Sequence, residues 1–297
     1  MTISGQASDP DADRVTVAVP DPRPGSPAGP LADAVTDADA VTDAAAGDAA
    51  GAAGAVLAGT ITLVIEDGDG VPGFDGPLVR ETVRLPRAGR DLDILRPDDT
   101  DALLDRAADD PEQNLPYWAE IWPSGIALAD ALLTSDPFAS STRTVEIGSG
   151  LGITAAAALL AGADLLCLDY FPDSLALCRR NARQNAGREP DTLAMNWRHP
   201  DEAFWVLAGD GFPLVLAADV LYEGRDVVSL ADLVDRLLAP GGLFFLAHPS
   251  RPPALRFLEL LGRRGWQDIP TTHAGPWPDP KDEDVVVSSH RLHRRGG

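Results

Sequence analysis

The chain has 297 residues and a formal net charge of −22, from 46 acidic residues against 24 basic ones. A surface this acidic repels phosphate backbones, which argues against nucleic acid as substrate or partner and leaves cationic groups favoured. With two cysteines and five scattered histidines there is no disulfide framework and no metal-ligand set, so no metal is expected.

Residues 1–59 are mostly Ala, Asp, Gly, Pro and Thr, with no aromatic residue. Such a segment cannot bury enough apolar surface to offset the entropy of ordering, and it is expected to be a disordered acidic tail. It holds nine aspartates against Arg14 and Arg23, so the rest of the chain carries −15. An acidic leader does not read as a secretory signal, and no run approaches the ~20 apolar residues of a membrane span. The expectation is a cytoplasmic protein away from membranes, in which the acidity either serves solubility or attracts basic partners.

A lead-in over residues 60–115 follows. Alternating apolar and polar residues at 78–85 and 92–95 predict two short strands around a turn at Gly89, then a helix near 101–107 and a break at Pro111–Pro116. The main domain is assigned to 116–297. A helical pattern runs from Tyr117 to about Leu133, and strands and helices then alternate. Strand 144–147 leads to helix 153–161, and strand 165–169 to helix 173–186, opened by Pro172 and ended near Gly187. A short strand at 193–197 precedes a buried strand at 214–218 and helix 226–238. Pro240-Gly241-Gly242 turns into strand 243–247, helix 253–263 follows, and a last strand runs from Val285 toward Leu292. This rhythm, with all-apolar central strands, predicts an α/β fold with a mostly parallel sheet covered on both faces. Its ligands belong outside the carboxyl ends of the strands, where Gly148–Gly152, Asp169, Trp197 and Asp219 all fall.

The most informative stretch is Thr144-Val145-Glu146-Ile147-Gly148-Ser149-Gly150-Leu151-Gly152. An apolar strand ending in alternate glycines before a helix describes a βα corner that comes close to a ligand. Asp169 lies about 20 residues beyond the first glycine, where such corners place a ribose-binding carboxylate. A dinucleotide fingerprint would need glycine where Ile153 stands, and Glu146 would put negative charge beside a pyrophosphate. A cationic or zwitterionic nucleoside cofactor suits the site better, and S-adenosylmethionine is the leading candidate over a nicotinamide dinucleotide. A tight turn with no ligand is the bland alternative.

Two further clusters stand out. Tyr117, Trp118 and Trp122 concentrate aromatics in a chain poor in them, and Asp219-Val220-Leu221-Tyr222 closes the buried central strand. With the glycine corner, Asp169, Trp197 and Ala239-Pro240-Gly241-Gly242, these make residues 77–293 resemble class I, seven-stranded S-adenosylmethionine-dependent methyltransferases. The Trp–Trp-Pro and Asp-x-x-Tyr elements resemble those of the protein-lysine methyltransferase and nicotinamide-methylase-like group. The resemblance implies a Rossmann-like, doubly wound, seven-stranded sheet. It implies cofactor contacts from Trp122, Glu146, Gly148, Ser149, Gly150, Asp169, Trp197 and Ala218, with Asp219 and Tyr222 facing the methyl group and the acceptor. The implied reaction is N-methylation of a protein lysine by direct displacement. The alternatives are methylation of a small amine or heterocycle, a non-catalytic cofactor-binding module, and a nicotinamide-dependent oxidoreductase. Bland readings remain at single positions: Trp118 and Trp122, one helical turn apart, as core residues; Trp197 as cover for the sheet edge; Glu223 and Asp226 as helix-start acids; and His199 and His248 as loop residues.

Overall fold

The computed structural model describes residues 65–66, 71–135 and 138–294, and the tail expected over 1–59 lies outside them. The described residues belong to one compact unit, Leu63–Gly297. It contains a three-stranded sheet of β1 (Ile65–Glu66), β2 (Leu78–Leu85) and β3 (Arg90–Pro97), followed by α1 (Thr100–Ala107). The large sheet is built from β4 (Arg143–Ile147), β5 (Asp164–Asp169), β6 (Asp191–Ala194), β7 (Phe212–Ala218), β8 (Leu238–His248), β9 (Trp266–His273) and β10 (Val287–Arg294). Its helices are α2 (Pro123–Thr134), α3 (Ile153–Leu160), α4 (Pro172–Ala186), α5 (Glu202–Ala208), α6 (Asp226–Leu237) and α7 (Pro252–Arg263). No described helix is long and apolar enough to cross a membrane.

The seven strands lie in the order β6-β5-β4-β7-β8-β10-β9. β4 pairs in parallel with β5 and β7, and β10 runs antiparallel to both β8 and β9. This is the Rossmann-like, doubly wound sheet that the family resemblance implies. The chain winds outward from β4 in both directions, so the order reverses there and a crevice opens above the carboxyl ends of β4, β5 and β7. Two apolar cores, one on each face, bury the alternate side chains of these strands; Val145 and Val215 face one, Leu165 and Leu216 the other.

Three expectations need correction. The helix from Tyr117 is interrupted: Tyr117–Ala119 forms a 3-10 turn and α2 begins at Pro123. Proline at the first helical position disfavours helical geometry in the residue before it, and Trp122 is extended at φ −102°, ψ 138°. Trp118 and Trp122 therefore do not share a helix face. β6 ends at Ala194, so Trp197 sits in the loop three residues beyond it. Ala239–Gly242 is a looped-out irregularity within β8, whose pairing with β7 resumes at Leu243 opposite Leu214. The sequence reading also missed α5 and β9. β9 is an edge strand with Pro270 in it and six consecutive exposed residues, so it lacks the apolar alternation that would announce it.

The lead-in hairpin is tied to the large sheet's helices by buried polar side chains. Asn181 of α4 accepts from Leu95 N at 2.8 Å and donates to Leu95 O at 2.9 Å and to Leu151 O at 2.9 Å. Asn185 accepts from Asp93 N and donates to Asp93 O, both at 2.8 Å. Four residues of helix rise about 6 Å and two of strand about 6.6 Å, so the two asparagines meet alternate residues of the free edge of β3 in register. They satisfy that edge as a further strand would. The turn at Gly89 is held from α2, where buried Asp130 accepts from Arg87 N and Ala88 N. Asn181→Ala is expected to destabilise the protein by roughly 2–4 kcal/mol, because it strands buried donors and acceptors. Asn185→Ala, at a less buried position, should cost less. Urea unfolding midpoints check both, and equal small losses would show that the hairpin is held by packing alone.

Candidate active site

Every site residue singled out from the sequence lines one cleft of about 940 Å³, part of it open to solvent, at the carboxyl ends of the central strands. Trp122, Glu146, Gly148, Ser149, Gly150, Asp169, Trp197, Ala218, Asp219 and Tyr222 all contribute to its wall.

The glycine corner has a specific construction. Leu168 O at the end of β5 accepts from Gly148 N at 2.8 Å and from Ser149 N at 3.2 Å. The Asp169 carboxylate continues the series, Oδ2 accepting from Gly150 N at 2.9 Å, while Oδ1 accepts from Phe171 N at 3.1 Å. Three successive amides of the turn are thus taken by the end of the neighbouring strand. Those N–H groups cannot also cradle a pyrophosphate, which is what a dinucleotide corner uses them for. The backbone needs glycine for two separate reasons. At Gly148, φ +69°, a Cβ would stand 2.8 Å from Val220 and 3.3 Å from the Trp197 ring, closing the cleft. At Gly152, φ +80°, a Cβ would meet the α4 backbone at Cys178 Cα, 2.8 Å away. The first glycine opens the site and the last packs the helices.

Asp169 is buried, and burial pushes its carboxyl above the ordinary value against the pull of its backbone donors. Ser149 Oγ is buried with no partner in the protein, a polar group at the cleft wall that a ligand can satisfy. Asn114 Nδ2 is in the same position. It belongs to the segment before Tyr117, where Arg198 reaches Asn114 Oδ1 at 3.1 Å and Tyr170 OH donates to Asp110 Oδ1 at 2.6 Å. Trp122 is fixed by Nε1 donating to Tyr117 O at 2.8 Å, and Tyr117 stands edge-on to Tyr222 with centroids 4.9 Å apart.

Asp219 follows β7 in a left-handed conformation, φ +54°, that a non-glycine residue rarely adopts. Its Oδ2 accepts from Ser124 Oγ at 3.2 Å, and its Oδ1 is ion-paired with Arg251 from the loop after β8. Burial pushes Asp219 up and Arg251 opposes it. Burial also raises the Tyr222 phenol, which stays protonated near neutrality. Neither Arg251 nor Ser124 was foreseen. The available signal was that Arg251 lies just past another strand's carboxyl end, but no local pattern pairs it with an acid 32 residues earlier.

Other residues behave differently from their sequence reading. Glu146 does line the cleft, but it is 1 % exposed and burial pushes its carboxyl up to about 8, so at neutral pH it is largely protonated. The negative charge once expected there is therefore absent, and that particular ground for a cationic ligand falls. Asp226 is more than a helix-start acid: fully buried, it accepts from Arg198 Nε at 2.6 Å. His248 is not in a loop; it ends β8, buried and stacked 4.8 Å from His290, and burial pushes it down to about 4.

The Glu146 shift has a stability consequence. A carboxyl whose folded-state value exceeds its unfolded one binds more protons when folded, so it costs stability as pH rises from the ordinary carboxylate range through about 8. Near pH 7 that cost is roughly 3 kcal/mol. Glu146→Gln mimics the protonated form and should melt progressively above wild type as pH rises from 5 to 8. Parallel melting curves across that range would show that Glu146 is ionised in the fold.

Comparison with known proteins shows what the chain is similar to. Residues 145–244 match the model described as a methyltransferase domain. The chain is 29% identical over 160 residues to the electron transfer flavoprotein beta subunit lysine methyltransferase of Xenopus laevis, covering 52% of this chain and 62% of that one. It is 26% identical to EEF1A lysine methyltransferase 3 of Mus musculus, with 60% and 72% covered. It is 27% identical to a ubiquinone biosynthesis O-methyltransferase of Psychrobacter cryohalolentis, with 46% and 52% covered. The chain thus spans about half to three quarters of the length of these relatives. Residues 145–244 thus match a methyltransferase domain, and the chain resembles class I S-adenosylmethionine-dependent methyltransferases, the protein-lysine methyltransferases among them, with S-adenosylmethionine as the cofactor that the resemblance implies.

Proposed function

We propose that the protein transfers a methyl group to a nitrogen of a protein side chain, lysine being the acceptor, in the cytosol. The observation that carries the reading is the Asp169 carboxylate, pinned to the glycine corner by Gly150 N–H yet facing the cleft. Each of its oxygens has one backbone donor and lone pairs to spare, which suits two vicinal ribose hydroxyls. Ser149 Oγ and Asn114 Nδ2 lack partners in the protein and would gain them from a bound nucleoside or amino-acid moiety. Trp197 offers a flat ring beside the corner for adenine, and Trp122 borders the cofactor from the start of α2. Gly148 and Ala218 leave the space that larger residues would fill.

When bound, the cofactor supplies an electrophilic methyl group on a positively charged sulfur. The protein has only to align a nitrogen lone pair behind that carbon and keep water out. Tyr117, Tyr222 and Trp122 wall the acceptor end with aromatic surface, which accommodates the apolar stem of a long amine side chain. Asp219 orients the acceptor by taking a hydrogen bond from its N–H and does not act as a strong base. The acidic surface favours a basic protein segment as partner over nucleic acid.

Asp169→Ala is expected to weaken S-adenosylhomocysteine binding about a hundredfold or more, read by calorimetry, since two charge-assisted hydrogen bonds are lost. Asp219→Asn should keep that affinity and lose transfer of labelled methyl groups to lysine in a host lysate. Unchanged affinity in the first variant would remove Asp169 from the cofactor site. Label found only in small molecules would move the acceptor to a free amine or heterocycle.

A further inference from the structure

The acceptor end of the cleft contains a chemical conflict and a group that resolves it. A carboxylate beside an incoming amine stabilises the ammonium form, and an ammonium has no lone pair to attack with. Asp219 lies where the acceptor is proposed to enter, so its charge matters directly. Its carboxylate is 7 % exposed, and its backbone is fixed by Asp219 N donating to Ala247 O at 2.9 Å.

Its surroundings narrow the sources of compensation. Ser124 Oγ is neutral. Tyr222 is held protonated by burial and His248 is held neutral by it. Asp282 acts on Asp219 as a like charge, with Lys281 beside it, and Glu120 stands at the cleft wall. Among the described residues, Arg251 is the cation that touches the carboxylate. Its guanidinium is steadied 5.4 Å from the Trp122 ring centroid, so one aromatic wall of the cleft holds the group that holds Asp219.

We propose that Arg251 is a positioning residue that neutralises Asp219, so that the acceptor amine meets the methyl group without a proton on its nitrogen. The inference rests on the proposed reading of the cleft as a site for an amine acceptor. Arg251 occupies one oxygen of Asp219 and Ser124 bonds the other at the edge of hydrogen-bonding range, leaving a lone pair for the acceptor's N–H. The proton leaves the ammonium for solvent before transfer, and Asp219 neither takes it up nor holds it in place. Specificity follows too: a permanently charged nitrogen is not favoured at this end, whereas an amine that can lose its proton is.

Sinefungin tests the inference because its amine stands where the transferred methyl group would. Its affinity relative to S-adenosylhomocysteine, measured by calorimetry on the full chain from pH 6 to 9, reports how strongly the site prefers a cation there. In wild type the ratio should vary little with pH. Arg251→Gln should raise it about tenfold at pH 7 and move the pH at which the preference fades upward by about one unit, one unit being a factor of ten. Arg251→Lys should keep the wild-type ratio, and adding Asp219→Asn to Arg251→Gln should restore it. A merely structural role lowers both affinities together and leaves the ratio alone. An unchanged ratio in Arg251→Gln, or loss of all S-adenosylhomocysteine binding by that variant, overturns the proposal. Failure of wild type to bind either compound strikes instead at the reading of the cleft.

Discussion

The site depends on the grip that the end of β5 keeps on the turn after β4. Leu168 O and the Asp169 carboxylate accept from three consecutive amides, Gly148, Ser149 and Gly150. That grip fixes the distance between the two strand ends and turns the glycine corner into a rigid floor. It also decides which ligands the floor can serve. An amide nest left open attracts phosphate, whereas one closed by a carboxylate presents acceptor oxygens in its place. Ribose hydroxyls are donors and fit those oxygens; a pyrophosphate, which offers only acceptors and charge, does not. The proposed preference for an adenosyl sulfonium over a dinucleotide thus rests on where three hydrogens point. Glu146 contributes less to it than the sequence implied.

Glu146 shows why charge read from a sequence is not charge in a site. Three buried carboxyls at the cleft wall differ in the donors that surround them. Glu146 has a weak thiol donor, Cys167 Sγ at 3.6 Å, and is pushed up to about 8. Asp169 has two backbone donors that oppose the effect of burial. Asp219 has an arginine and a serine. The number and strength of donors that follow each carboxyl into low dielectric decide its state, and donor number is a property of the fold.

What was legible in the sequence divides along the same line. Features written in neighbouring residues came through: the apolar runs of β4, β5 and β7, the turn at the alternate glycines, the Pro172 and Gly187 boundaries of α4, and the end of β5 at Asp169. These are local rules of periodicity, capping and turn chemistry, and the βα alternation carries them into a known topology. Features set by chain segments far apart did not. Arg251 meets Asp219 only because β8 lies beside β7, and its role has no local signature. The helix at Tyr117 failed for a different reason, since its apolar spacing was real but Pro123 forces Trp122 out of helical geometry. β9 hid because an edge strand beside an antiparallel neighbour can be almost wholly polar.

The lead-in hairpin has a closer connection to the glycine corner than its place in the sequence implies. Asn181 joins Leu95 of β3 to Leu151 of the glycine corner through a single side chain, so one amide group serves both the hairpin's edge and that corner. Cys178, one helical turn earlier on α4, is the residue that Gly152 packs against. A shift of α4 would therefore be felt at the hairpin and at the glycine corner together. The glycine corner and the lead-in are held by the same helix, and the buried amide of Asn181 is the link between them.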